Sequence, residues 1–202
     1  MGPGLFMPES DASREWSLMS NVPQIAWPEL PTAAWRETYQ TLHLWTQIVG
    51  KIRLARTPWL NHSWHVTLYV TARGLTTSPI PDGSSTFQID LDFIDHLVRI
   101  STSGGASREF ALAGKSVAGF YAAVMAALEE LGIRIAIDEM PNELPDPIRF
   151  SQDHRHSTYD ADACGAFSRS LSMPTGCSSS SAPASSARRA PCISSGAVLT
   201  WR

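Results

Sequence analysis

Between Thr32 and Pro58, Trp35, Tyr39, Leu42, Val49 and Ile52 recur at helical spacing, with Trp45 close to the same stripe. This predicts one amphipathic helix that opens with Thr32 as N-cap and stops before Pro58. In "NHSWHVTLYVTARGL" the period falls to two. His62, Trp64, Val66, Leu68 and Val70 take one face, and His65, Thr67, Tyr69, Thr71 and Arg73 the other. That is the signature of a half-buried strand. "STFQIDLDFI" alternates in the same way, with Phe87, Ile89, Leu91 and Phe93 opposite Gln88, Asp90 and Asp92. "HLVRISTS" and "REFAL" read as two shorter strands joined by the turn "SGGAS". "KSVAGFYAAVMAALEELGI" is a helix with Ser116 as N-cap and Gly132 as its stop, and "RIAID" returns as a strand. The predicted order is α-β-β-β-β-α-β with hairpin-length connections. It defines an α+β fold, mainly an antiparallel sheet with helices on one face.

The pattern also segments the chain. Residues 1–23 are polar and aperiodic and read as a flexible leader; residues 24–140 form the α+β domain. Residues 141–167 are a proline-punctuated linker and the start of a helix at Asp160. From residue 168 to 202 the periodicity dies in a stretch rich in Ser, Ala and Arg, with no Asp, Glu or Lys.

Charge and composition narrow the function classes. The net charge is -3, and residues 1–167 hold 12 basic against 19 acidic groups, which argues against a nucleic-acid-binding surface. No stretch is apolar enough to span a bilayer, and the N-terminus lacks the basic and apolar regions of a signal peptide. The expectation is a cytoplasmic protein with no membrane partner. Cys164, Cys177 and Cys192 show no paired spacing, so neither a disulfide framework nor a zinc site is expected. No phosphate loop, dinucleotide fingerprint or nucleophile elbow is present, and no cofactor is expected.

The candidate chemistry lies on the sheet and the first helix. His65 and the carboxylates Asp90 and Asp92, if brought together across neighbouring strands, would make a general base with its orienting group. The plainer alternative is a solvated sheet face with cross-strand charge pairs. His43, Trp45, His62, Trp64 and Arg73 form the second set, a platform for a sugar-like or other flat ligand. Against it, tryptophans at helical spacing belong more often to a core. His62 and His65 fall on opposite faces of a regular strand, so they do not chelate one metal. The expected partner is an unknown small molecule, bound by an enzyme or by a non-catalytic binding domain.

"TLHLWTQIVGKIRLA", "PWLNHSWHVTLYVTARGLTTSPIP", "IDLDFIDH" and "MPNELPDPIRF" closely resemble a bacterial family known as domain of unknown function 5996. The resemblance runs from about Trp27 to Phe167 and brings no assigned activity. It implies a continuation containing a string like HFFWGSFDLA. Shifting the reading frame by one base from Cys192 to Arg202 permits that string, so the tail is expected to be out of frame and the chain truncated. The alternative is a natural Ser/Ala/Arg-rich disordered tail, or a product without function.

Overall fold

The computed structural model describes residues 28–173 and 198–199. The expected leader lies outside them, as does the suspected out-of-frame tail apart from its first residues and Val198–Leu199.

Helix α1 (Thr32–Arg56) starts after Pro31, which occupies the cap position with no side-chain cap hydrogen bond, so Thr32 is not the cap. Its last turn carries Arg53 and Arg56, cations suited to the negative end of a helix. Leu42, Trp45, Val49 and Ile52 are buried, as the stripe requires, but so are Leu44, Ile48, Thr41, Thr46 and Gln47. The middle of α1 is enclosed on more than one side. Residues 138–142 hold its second side, through hydrogen bonds from Lys51 and Gln47.

Asn61–Val66 forms a 3₁₀ turn where the alternation predicts a strand. His62 and Ser63 sit at φ 54° and 60°, and alternate residues face opposite sides only while the backbone is extended. The strand begins later. β1 (Leu68–Thr71) turns at Ala72 and Arg73 into β2 (Gly74–Thr76), and β3 (Ile80–Asp82), β4 (Ser85–Asp92), β5 (Leu97–Thr102) and β6 (Ser107–Ala111) follow. Every pairing is antiparallel, in the order β6-β5-β4-β2-β1, with β3 also on β4. The eight residues of β4 thus face two short strands end to end. Thr77 bridges the gap: its N–H donates to Ile89 O at 3.0 Å and its Oγ1 accepts from Ile89 N at 3.0 Å.

Helix α2 (Val117–Glu130) is capped by Ser116, whose Oγ accepts from Gly119 N. It ends before Gly132 at φ 78°, a conformation that favours glycine. No strand forms at Arg134–Asp138. The Arg134 carbonyl accepts from the Arg56 guanidinium, while Ile135 and Ile137 pack against the core with no strand beside them among the described residues. After a 3₁₀ turn (Phe150–Gln152), α3 (Ala161–Ser172) begins with Asp160 accepting from Asp162 N and Ala163 N. The two-residue β7 (Val198–Leu199) pairs with β1.

One core joins these elements. Phe87, Ile89 and Leu91 point into it from β4, while Gln88 and Asp90 alternate onto the half-exposed outer face. Trp45 stacks on Phe120 at 4.8 Å and 11°, locking α1 to α2, and Phe150 and Cys164 belong to the same cluster. The protein is α+β, with helices packed on one face of an antiparallel sheet.

Candidate functional site

The residues expected to form a catalytic group are placed apart. His65 is 3% exposed; its Nδ1 accepts from Leu60 N at 3.2 Å and its ring meets Trp59 at 5.2 Å. It closes the 3₁₀ turn. Asp90 lies on the outer face of β4, where Gln88 Nε2 donates to it at 2.8 Å and Arg99 stands opposite. Asp92 accepts from Arg73 Nε at 2.6 Å and from the N–H groups of Ile94 and Asp95. Among the described residues no hydrogen bond joins His65 to either carboxylate. The strand that was to carry His65 beside them is a turn, and β2 is the neighbour of β4. Asp92 and Arg73 are brought together, and Arg73 also donates to Asp95 at 2.5 Å.

The flat-ligand set divides as well. Trp45 is fully buried between Phe120 and Tyr159, and Trp64 is exposed and lines neither of the clefts described next. His43 and His62 do line clefts, but different ones.

The first cleft, about 380 Å³, lies between the N-terminal half of α1 and the segments 144–146 and 155–158. Its wall includes Glu37, His43, Asp146, Arg155, His156 and Thr158. The segment "DHRH" supplies its most organised part. Asp153 is 1% exposed, and its Oδ1 accepts from Arg155 N and His156 N, both at 3.1 Å. Its Oδ2 lies 2.8 Å from His156 Nδ1. An ionised carboxylate only accepts, so Nδ1 donates and the neutral ring keeps its lone pair on Nε2. The His156 side chain is 22% exposed, enough to be reached from the cleft. The turn is held from beneath, because Asp153 O and His156 O accept from Ala118 N and Val117 N at the start of α2.

On the opposite wall, Gln47 Nε2 lies 2.8 Å from His43 Nε2. Gln47 also donates to Asn142 O and accepts from Asn142 N. The amide therefore donates to His43, which places the proton of the neutral ring on Nδ1. Burial pushes the His43 pKa below the ordinary histidine range, with the Glu143 carboxylate pulling the other way. Arg155, exposed on this cleft, enters none of the ion pairs among the described residues.

The second cleft, about 360 Å³, opens on the C-terminal half of α1. Gly50, Leu54, Trp59 and Val66 give it apolar walls, and Gln47, His62, Asn142 and Glu143 a polar rim.

Burial pushes the Cys164 thiol up to about 12 and raises Tyr159 further, so neither supplies an anionic nucleophile. Among the described residues no group of three or more His, Cys, Asp and Glu side chains is placed to hold a metal ion, and no helix is long and apolar enough to cross a membrane.

The chain is thus an α+β protein with a polar, histidine-bearing cleft and a more apolar one beside the same helix. The family of unknown function DUF5996 matches residues 27–177, and the chain belongs to that family. Both clefts fall within the matched residues. No curated protein and no solved structure matches the chain.

Asp153, Arg155 and His156 were not among the residues singled out from the sequence. The signal was an Asp three residues before a His in a polar, proline-punctuated stretch, a spacing that brings the two side chains together only if the backbone turns.

Proposed function

We propose that this protein is a small-molecule enzyme using general acid–base chemistry in the first cleft. One observation carries the reading: the buried Asp153 carboxylate holds His156 by Nδ1 and leaves Nε2 as the basic atom at a polar cleft. In that role His156 Nε2 takes a proton from a water molecule that attacks the ester carbon or phosphorus of the bound substrate, Asp153 balances the imidazolium that forms, and the proton passes to the alkoxide that leaves as the ester bond breaks. Arg155 suits a substrate carrying a carboxylate or phosphate, since its guanidinium is not committed to an internal acid.

The test is a panel of small carboxylate- and phosphate-bearing esters assayed with the full chain, His156→Gln and Arg155→Ala. Turnover is expected to fall by about a hundredfold or more in H156Q. R155A is expected to raise KM for anionic substrates. An H156Q variant as active as the parent on every substrate overturns the reading.

For residues 168–202 we propose that the gene is read out of frame, on the strength of the string that the shifted frame permits. A nucleotide reading from codon 160 past codon 202 tests this. One inserted or missing base is expected, and a confirmed frame with no open shifted frame overturns it.

A further inference from the structure

The second cleft carries an inference independent of the first. Among the described residues five non-glycine residues adopt positive φ, and three of them, His62, Ser63 and Glu143, line this one cleft. Backbone held in sparsely populated conformations gathers where a binding surface is being shaped. Here it shapes both sides: the 3₁₀ turn after α1 and the segment before the first cleft.

The chemistry of the walls selects an occupant. Trp59 is 69% exposed and Leu54 47%, so a large aromatic face and an aliphatic one are available to a ligand. Gly50, buried on the helix side, adds no side chain to the wall. The lysine on the wall is already satisfied. Lys51 Nζ donates to Asp138 Oδ2 at 3.3 Å, Met140 O at 2.5 Å and Asn142 Oδ1 at 3.4 Å, and its side chain is only 10% exposed. The acid beside it is less committed. Glu143 is exposed and makes no hydrogen bond or ion pair among the described residues, and its charge acts on the half-buried His43. An aromatic face next to an exposed carboxylate attracts a flat cation and repels a flat anion.

We propose that this cleft is a binding site for a planar aromatic cation of one or two fused rings, stacked on Trp59 and balanced by Glu143. The cleft volume of about 360 Å³ is ample for such a molecule.

Three probes of one shape and different charge decide the matter: 1-methylquinolinium, quinoline at pH 8, and naphthalene-2-sulfonate. Each is titrated into the full-length ¹⁵N-labelled protein, following the Gly50 amide, the Gln47 side-chain amide and the Trp59 indole N–H. The expected result is saturable shifts at all three groups with the order cation, then neutral ring, then anion. Trp59→Ala is expected to weaken the cation about tenfold. Glu143→Gln is expected to weaken the cation several-fold while leaving quinoline within twofold. Thermal unfolding of both variants checks that the fold is kept, and Trp59 is exposed enough for its truncation to spare it. Absence of saturable shifts at these groups, or equal or tighter binding of the sulfonate, overturns the proposal. So does a Glu143→Gln variant that binds the cation as the parent does. None of these outcomes bears on His156, so failure here and failure of the first cleft's chemistry are separately visible.

Discussion

Arg73 Nε lies 2.6 Å from Asp92 Oδ2, joining the turn between β1 and β2 to the end of β4, while Ile94 N and Asp95 N close on the other oxygen of the same carboxylate. Burial alone would raise the Asp92 pKa, but the Arg73 hydrogen bond and the two backbone donors outweigh it and hold the carboxyl below its usual range. The folded state therefore binds this proton less readily than the unfolded chain. Its stabilising effect is complete above the unfolded carboxylate pKa of about 3.9 and is lost as pH falls through the lower folded value. Asp92→Asn is expected to cost about 1–3 kcal/mol at pH 7. Urea unfolding at pH 7 and pH 3 checks this, with the gap between parent and variant narrowing in acid.

Gly74 opens β2 at φ 152°, and a Cβ there would stand 2.1 Å from Leu91 O. The obstacle is backbone of the paired strand, so it cannot swing aside. Gly74→Ala is expected to destabilise by about 3 kcal/mol or more, through the clash and the strained φ together. Denaturant midpoints measure it, and a loss below about 1 kcal/mol would show that β2 shifts freely along β4.

The Gln47 amide donates to His43 Nε2, the atom that would have to accept a proton for the ring to charge. His43 is therefore expected to titrate below the ordinary histidine value of about 6.5 when followed by its ring C–H resonances. A histidine with a depressed pKa stabilises the fold above the unfolded value and loses that contribution as pH falls from there through the lower folded value. Gln47→Glu presents a carboxylate instead and is expected to raise the His43 pKa. The drop in stability between pH 7 and pH 5 should then be smaller in the variant than in the parent.

Cys164 lies in the core with no exposed surface, its thiol pushed up to about 12 by burial. Iodoacetamide at pH 8 is expected to leave the Cys164 peptide unmodified in the folded protein and to alkylate it in urea, as read by mass spectrometry. Modification at equal rates in both states would mean that α3 detaches from the core.

The class of fold was legible because it rests on periodicity. Phe87, Ile89 and Leu91 alternate, and they do face the core; Ser116, Gly132 and Asp160 punctuate helices where their chemistry predicts. The site was less legible because it rests on breaks in that periodicity. "NHSWHV" alternates in letters, yet two left-handed residues turn it back on itself, and His65 ends as the closure of a turn. Trp45 and Trp64 look equivalent in a list of aromatics, but one is the stack between two helices and the other lies in solvent. What no local pattern contains is the return of residues 138–158 across α1. That contact makes Gln47 a wall between two clefts, and it joins residues 95 positions apart.

Val117 N and Ala118 N donate to the carbonyls of His156 and Asp153, main-chain atoms that every amino acid possesses. The anchorage of this turn on helix α2 is therefore indifferent to which side chains it displays, apart from the Asp153 carboxylate that folds it. Substitution of Arg155 or His156 is therefore expected to leave the helix tethered. Over evolutionary time such a loop can change its vocabulary without changing its grammar, and divergence of reactivity within one architecture would be expected to concentrate there.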